Sequence, residues 1–392
     1  MNGSRVTDDI LRLVPNVATF RIALRTIKLW AKCRGIYSNV MGFLGGVAWA
    51  MLIARICQLY PNSCAASIVH RFFTIMSRWK WPQPVLLRPL EDGPLQVRVW
   101  NPKLYPADRS HRMPIITPAY PSMCATHNVT ESTRTIMMNE FKLGVDIVEK
   151  VMIGNGQWKE LFTKSKFFHS YKHYLQITSC SESAESQLIW SGLVEAKLRQ
   201  LVLKLELVDM INLAHPYVKG IDKIHYCLTP EEADIVIKGG DIPGRSIRVE
   251  EGSLEMNHTE LLKQQGLVTE ENEKDIKRIF TTTFYIGFVI APKIGKINKY
   301  IYKYISILHI KIAYKYKISN HLVFCIAGGE QRKLNLVWPV QEFTKLVKTW
   351  DKFDDKEMKI TIQSIKGCCI HLILLFYNYN KFIIFNNANW IL

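Results

Sequence analysis

The sequence predicts an α+β protein: a mostly helical first part to about residue 164, then a ferredoxin-like αβ part. Two patterns carry that reading. Apolar residues recur at helical spacing through most of the first part, and the second part runs strand, helix, strand, strand, helix, strand. With 48% apolar and 22% charged residues, the 392-residue chain lies far from a disordered composition and is long enough for two or three cores.

The first clear element is Val17 to Lys32, where Phe20, Leu24, Ile27 and Ala31 share one face and Arg21, Arg25, Lys28 and Lys32 another. Asn16 is placed to cap its start, and Gly35 follows its end. A second helix begins at Gly45-Gly46, is apolar nearly all round to Leu59 and stops before Pro61. A third covers Ser67 to Trp79. The stretch from Pro82 to Pro121 carries too many prolines for long regular structure. Thr133 to Val151 is helical through Ile136, Met137, Phe141, Leu143 and Val145, and a boundary is placed near Lys164.

Beyond it, Tyr171 to Thr178 has strand composition, and Ser183 to Leu207 reads as a long amphipathic helix. Ile224 to Leu228 follows as a short strand. A polar loop through Gly239-Gly240 and Pro243-Gly244 leads to the charged Glu270 to Lys277 segment. Ile279 to Ile290 is a central strand, Leu334 to Trp338 its hairpin partner, Val340 to Trp350 a helix, and Lys356 to Ile365 the last strand. The hairpin is interrupted by residues 293–321, where 20 of 29 residues are Lys, Ile or Tyr. A/T-only codons yield those three residues, so the segment reads as translated intron and not as part of the fold. A genuine basic RNA-binding insertion is the alternative. Residues 367–392 form an atypical tail of the same flavour, with an apolar core too short to span a bilayer.

The formal charge is +17, and about +10 remains without the seven lysines of residues 293–321, so a polyanion is the first partner to consider. The nine cysteines form no C-x-x-C pair and no zinc-like spacing, which suits reduced intracellular thiols. Met1 to Pro15 lacks the apolar run of a signal peptide, and no early apolar run reaches membrane-spanning length. The reading is a soluble chain.

The chemistry-bearing segment is Lys28-Leu29-Trp30-Ala31-Lys32, then Ile36-Tyr37-Ser38-Asn39, then Gly42-Phe43-Leu44-Gly45-Gly46-Val47. Glycines at a helix entry let backbone N–H groups approach phosphate oxygens, and a lysine one helix away neutralises them. Tyr37 offers a face for a base, and Asn39 pairs a donor with an acceptor for an adenine edge. Each residue also has a plain structural use. Lys28 fits a solvated helix face, and Gly45-Gly46 fits tight packing and matches neither G-x-G-x-x-G nor a Walker loop.

These segments, with Asn2-Gly3-Ser4-Arg5-Val6-Thr7-Asp8 and Met113-Pro114-Ile115-Ile116-Thr117-Pro118-Ala119-Tyr120-Pro121, resemble the central domain of eukaryotic poly(A) polymerases. The resemblance continues more weakly through Phe167-Phe168, Tyr171-Lys172-His173-Tyr174 and Trp190 to Arg199. It resumes at Ile286-Gly287-Phe288-Val289 and Leu334 to Lys366, in what corresponds to the family's RRM-like RNA-binding domain. It implies a central domain at residues 1–164, an RNA-binding domain at 165–366, and an adenylyltransferase that adds AMP from ATP to an RNA 3′ end.

The family's ATP contacts then fall on Lys28 for the phosphates, Tyr37 for the sugar and phosphate region, Asn39 for the adenine, and Gly46 with Val47 at the nucleotide pocket. The resemblance also implies Mg²⁺ or Mn²⁺ held by three aspartates of a nucleotidyltransferase domain that precedes the Asn2 motif. The chain begins at Met1, so no catalytic or metal-ligating residue is assigned and the 392 residues are expected to be inactive alone. Asp8-Asp9 and Asp354-Asp355 are adjacent pairs that do not converge on one metal. The family's basic residues after the last strand are also missing, since Lys366 is followed by Gly367-Cys368-Cys369-Ile370, which lowers the expected RNA affinity. Implied partners are an RNA 3′ end, ATP and the cleavage and polyadenylation factors. A monomer in the nucleus, with no membrane contact, is expected. The competing reading is a catalytically silent paralogue that binds RNA without extending it.

Overall fold

In a computed structural model, the structure describes residues 2–90, 97–249, 258–269, 276–291 and 334–368. The 293–321 segment and all but the first two residues of the 367–392 tail lie outside the described residues.

The helical part consists of α1 (Asn2–Leu13), α2 (Val17–Cys33), α3 (Gly46–Leu59), α4 (Ala65–Met76), a short α5 (Pro106–Arg109), α6 (Glu131–Met152) and a 3-10 turn at Trp158–Phe162. Asn16 caps α2 by accepting from the Thr19 N–H, and Thr130 caps α6 by accepting from the Thr133 N–H. The buried stripe of α2, Phe20, Ala23, Ile27, Trp30 and Ala31, faces α3 and α4. Trp30 is the hub. Its ring meets Trp49 at 5.9 Å and Phe73 at 4.8 Å edge-on, and stacks on Phe141 at 5.9 Å. Such pairs contribute about 0.5–1.5 kcal/mol each beyond their buried area. They fix α2 against α3, α4 and α6.

The proline-rich stretch is packed despite its irregularity. Arg98 pairs with the buried Asp108 at 2.9 Å, Asp108 also accepts from the Asn101 N–H, and the Trp100 indole donates to His111.

The αβ part runs α7 (Phe167–Ser170), β1 (His173–Ser181), α8 (Ala184–Glu206), β2 (Ile211–Pro216), β3 (Ile221–Cys227), α9 (Pro230–Ile237), β4 (Ser246–Arg248), α10 (Thr259–Gln264), β5 (Lys277–Ile290), α11 (Val337–Lys348) and β6 (Lys359–Lys366). All pairings are antiparallel, in the order β4-β3-β5-β1-β6. The long β5 carries β1 on one edge; its other edge pairs with β2 at the Ile290 end and β3 at the Lys277 end. Counting β2 and β3 as one interrupted strand gives the expected ferredoxin-like arrangement, with α8 and α11 packed together on one face.

One expected element is overturned. Leu334 to Trp338 is not a strand: residues 334–336 are irregular and α11 starts at Val337. Pro339 decides it. A proline in the first helical turn has no hydrogen bond to lose there, whereas directly after Trp338 it would stop a strand from pairing further. The loop expected between Leu228 and Lys277 also contains α9, β4 and α10. The largest core cluster is continuous across both parts, from Val6 and Trp30 through Leu175 and Trp190 to Phe343.

Candidate nucleotide pocket and its neighbourhood

The buried stripe of α2 leaves Lys28 and Lys32 outside the core, Lys28 half-buried and Lys32 exposed. Past the helix, the Ile36 N–H donates to the Ala31 carbonyl at 2.9 Å, which folds the chain back and sets Tyr37 beside both lysines. Their Nζ atoms lie 6.0 Å (Lys28) and 5.5 Å (Lys32) from the Tyr37 ring centroid, within cation–π range. Among the described residues, neither lysine makes an ion pair.

Residues 38–43 form a tight turn. The Phe43 N–H donates to the Ser38 carbonyl at 2.9 Å and the Gly42 N–H to the Asn39 carbonyl at 3.2 Å, with Gly42 at φ +86°, which favours glycine. The turn delivers the chain to Gly45, the N-cap of α3. Gly45 supplies no side chain to cap the helix, so the first N–H groups of α3 lack both a side-chain and an intrahelical partner.

Gly46 sits where Lys28, Tyr37 and α3 converge. A Cβ on it would lie 2.8 Å from the Tyr37 hydroxyl and 3.5 Å from Lys28 Nζ. A Cβ on Gly45 would lie 3.3 Å from Asn39 Cβ. Val47 is exposed at the same helix end. All five sequence-expected residues, Lys28, Tyr37, Asn39, Gly46 and Val47, therefore gather at the N-terminus of α3. The arrangement offers a cation, backbone donors at the positive end of a helix dipole, an aromatic ring and an amide.

Two neighbours lie outside the set assigned to the site from the sequence. Lys32 flanks the Tyr37 ring from the next turn of α2, and helical spacing from Lys28 could have placed it there. Asn128, distant in sequence, donates from Nδ2 to the Asn39 carbonyl at 3.1 Å and holds the turn in place, while its own Oδ1 is buried with no partner. Nothing local in the sequence signals that contact.

The donor set does not fit the two-metal site the resemblance implies. Among the described residues no group of three His, Cys, Asp or Glu side chains is placed to hold a metal ion. Asp9 lies near Arg12 and Arg88, each at 3.9 Å, and Asp355 pairs with Lys348 at 3.1 Å, so each adjacent aspartate pair has basic neighbours. No helix among the described residues is long and apolar enough to cross a membrane.

A family model described as the poly(A) polymerase central domain matches residues 19–164, and one described as the poly(A) polymerase predicted RNA binding domain matches residues 166–311 and 322–374. The chain is 48% identical over 378 residues to Poly(A) polymerase pla1 of Schizosaccharomyces pombe, covering 94% of this chain and 60% of that protein. It is 44% identical over 367 residues to Poly(A) polymerase PAPa of Candida albicans, covering 93% and 59%. To Poly(A) polymerase PAPalpha of the same species it is 49% identical over 288 residues, covering 73% and 49%. The chain thus spans half to three-fifths of the length of these relatives.

Proposed function

Because the chain belongs to the poly(A) polymerase family, we propose that it supplies the ATP-binding and RNA-binding portion of a polynucleotide adenylyltransferase that adds AMP from ATP to RNA 3′ ends in nuclear mRNA processing. The observation that carries this reading is the convergence of Lys28, Tyr37 and Gly46 at an uncapped helix N-terminus, with Asn39 against Gly45. Lys28 and the first N–H groups of α3 hold phosphate oxygens. Tyr37 packs on the sugar and phosphate region, and Asn39 reads the adenine edge by pairing a donor with an acceptor. Val47 bounds the pocket beside Gly46.

The carboxylates that would hold the metal ions, which in turn activate the 3′-hydroxyl and stabilise the leaving pyrophosphate, would come from a nucleotidyltransferase domain joined ahead of this chain. The 392-residue chain by itself therefore incorporates no AMP into an oligo(A) primer with Mg²⁺ or Mn²⁺. Joined behind a nucleotidyltransferase domain bearing three aspartates, it extends the primer, and Lys28→Ala in that joined protein raises the ATP requirement about tenfold or more, the worth of one charge-assisted contact. Extension by the chain alone overturns the division of labour. An unchanged ATP requirement in Lys28→Ala returns Lys28 to a solvated helix face. The protein acts as a monomer alongside cleavage and polyadenylation factors, which sedimentation of the purified chain checks for the first point.

A further inference from the structure

An RRM-like sheet ordinarily offers one open face on whose aromatic residues bases stack. Here both faces of the strands β1, β3 and β5 are closed. Tyr174 to Ser181 in β1, all of β3, and Ile279 to Phe288 in β5 are buried without the alternation that a solvated face would produce. One face takes α8 and α11. The other is covered at one end by Ala233 and Val236 of α9 with Ile242, packed on Cys180, Cys227 and Ile279. At its opposite end Phe167, Phe168, Tyr171 and Tyr217 cover Tyr174 and Tyr285. Even the polar groups in between are engaged: the Tyr174 hydroxyl donates to the Phe167 carbonyl at 2.8 Å, and Gln176 donates to the Gly239 carbonyl at 3.0 Å.

A cationic surface lies instead at the seam between the helical part and the sheet. A half-open cleft of about 360 Å³ is lined there by Asn139, Lys164, Lys166, Tyr171 and His215, among others. Arg34 also faces it, but its charge is matched by Glu140 at 2.7 and 3.1 Å, and its Nη1 donates to the Thr163 carbonyl at 2.9 Å. His215 is neutral, because burial pushes its pKa down to about 3, and it shares a 2.6 Å hydrogen bond with the Tyr171 hydroxyl. The unmatched charge is that of the lysines. Residues 164–173 contain Lys164, Lys166 and Lys172 and no acid. Lys366 joins them, since it pairs in register with His173 while the Gly367 N–H donates to the Lys172 carbonyl. All four lysines are exposed, and among the described residues none makes an ion pair.

We propose that this chain holds single-stranded RNA by its phosphates at the seam, through Lys164 and Lys166 with Lys172 and Lys366 beside them, and not by stacking bases across the sheet. The inference rests on the RNA-binding part of the reading above and adds where and how the RNA is held. It implies sequence-tolerant, salt-sensitive binding.

The test is fluorescence anisotropy of a labelled 15-nucleotide oligo(A) with the purified 392-residue chain across a KCl series. Each phosphate contact on a single strand contributes about 0.7 to the slope of log affinity against log salt. Lys164→Ala with Lys166→Ala should therefore flatten the slope by about 1.4. The control pair Lys352→Ala with Lys356→Ala removes the same charge from the segment before β6, at the opposite end of β1, and should leave the slope as it was. Equal flattening by both pairs, or an unchanged slope for the seam pair, overturns the inference while RNA binding itself stands. That second result is also what a seam built for an acidic protein would give. If the unaltered chain does not bind oligo(A), the RNA-binding reading fails and the seam proposal falls with it.

Discussion

Replacing Gly46 by alanine separates the two uses a glycine can have at the start of α3, close packing of the protein on itself or space for a ligand. The new methyl would lie 2.8 Å from the Tyr37 hydroxyl and 3.5 Å from Lys28 Nζ. Both atoms are the far ends of half-buried side chains. Gly46 is helical and not at positive φ, and alanine is the better helix former by up to about 1 kcal/mol. Moving the Tyr37 hydroxyl a few tenths of an ångström offsets part of that gain, so the thermal midpoint should stay level or rise slightly. Nucleotide affinity should fall, because the methyl occupies the space over the uncapped N–H groups and displaces the Tyr37 hydroxyl. Loss of one charge-assisted hydrogen bond costs about 1.5–3 kcal/mol, which is roughly a 10- to 100-fold rise in Kd. Titration of a fluorescent ATP analogue together with a melting curve reads both quantities. A variant with native ATP affinity would refute the reasoning, as would one whose affinity falls only because the protein has unfolded.

Asn128→Ala should weaken ATP binding several-fold with little change in Lys28 or Tyr37, and a released Asn39 turn should show as faster amide exchange at residues 39–43; unchanged exchange would count against the Nδ2 contact as the restraint. Arg34→Ala removes a bidentate partner from Glu140, both side chains being under one-fifth exposed, and should cost about 2 kcal/mol in urea unfolding, with Arg34→Lys restoring only part. His225 is held neutral mainly by burial, its pKa pushed down to about 4, between the Ser246 and Thr281 hydroxyls. The unfolded chain takes up that proton near pH 6.5 and the folded chain does not, so stability is full above that pH and is lost as pH falls from about 6.5 toward 4, by up to about 3 kcal/mol. Urea unfolding of His225→Gln should show a shallower loss over that window, and equal slopes would sink the assignment. Deleting residues 293–322 should leave the unfolding midpoint unchanged or raised, because shortening a loop changes closure entropy by only about 0.6 kcal/mol per halving; an unfolded product would make the segment part of the fold.

Much of the helical part was legible because its signals are local. Asn16 before Val17, the apolar spacing of Phe20, Ile27 and Ala31, and the glycine pair before Val47 each say where a helix starts and which face it buries. Leu334 to Trp338 misled because its apolar and aromatic composition suits a strand, while Pro339, the deciding residue, stands one position beyond it. The helix α9 passed for loop because its surroundings are polar, yet Thr229 as N-cap, Pro230 at the first position and Glu231 and Glu232 in the first turn mark a helix start. β2 was missed since Asn212, His215 and Pro216 break the expected alternation, and it is held from outside by β5 and by Ser132, whose hydroxyl accepts from the Ala214 N–H. Lys28, Tyr37, Asn39, Gly46 and Val47 were named together in the sequence, from resemblance and from chemistry. Their mutual placement was not legible, because the Asn128 contact that holds the Asn39 turn joins segments far apart in sequence, as does the closure of the sheet by α7 and α9.

The most direct measurement of the account is photolabelling of the chain with an azido derivative of ATP, followed by mass-spectrometric mapping of the labelled peptides. The label should fall on the segment from Tyr37 to Val47, be competed by unlabelled ATP and be lost in Lys28→Ala. A label that maps to another part of the chain under competition, or one that survives in Lys28→Ala, would contradict it.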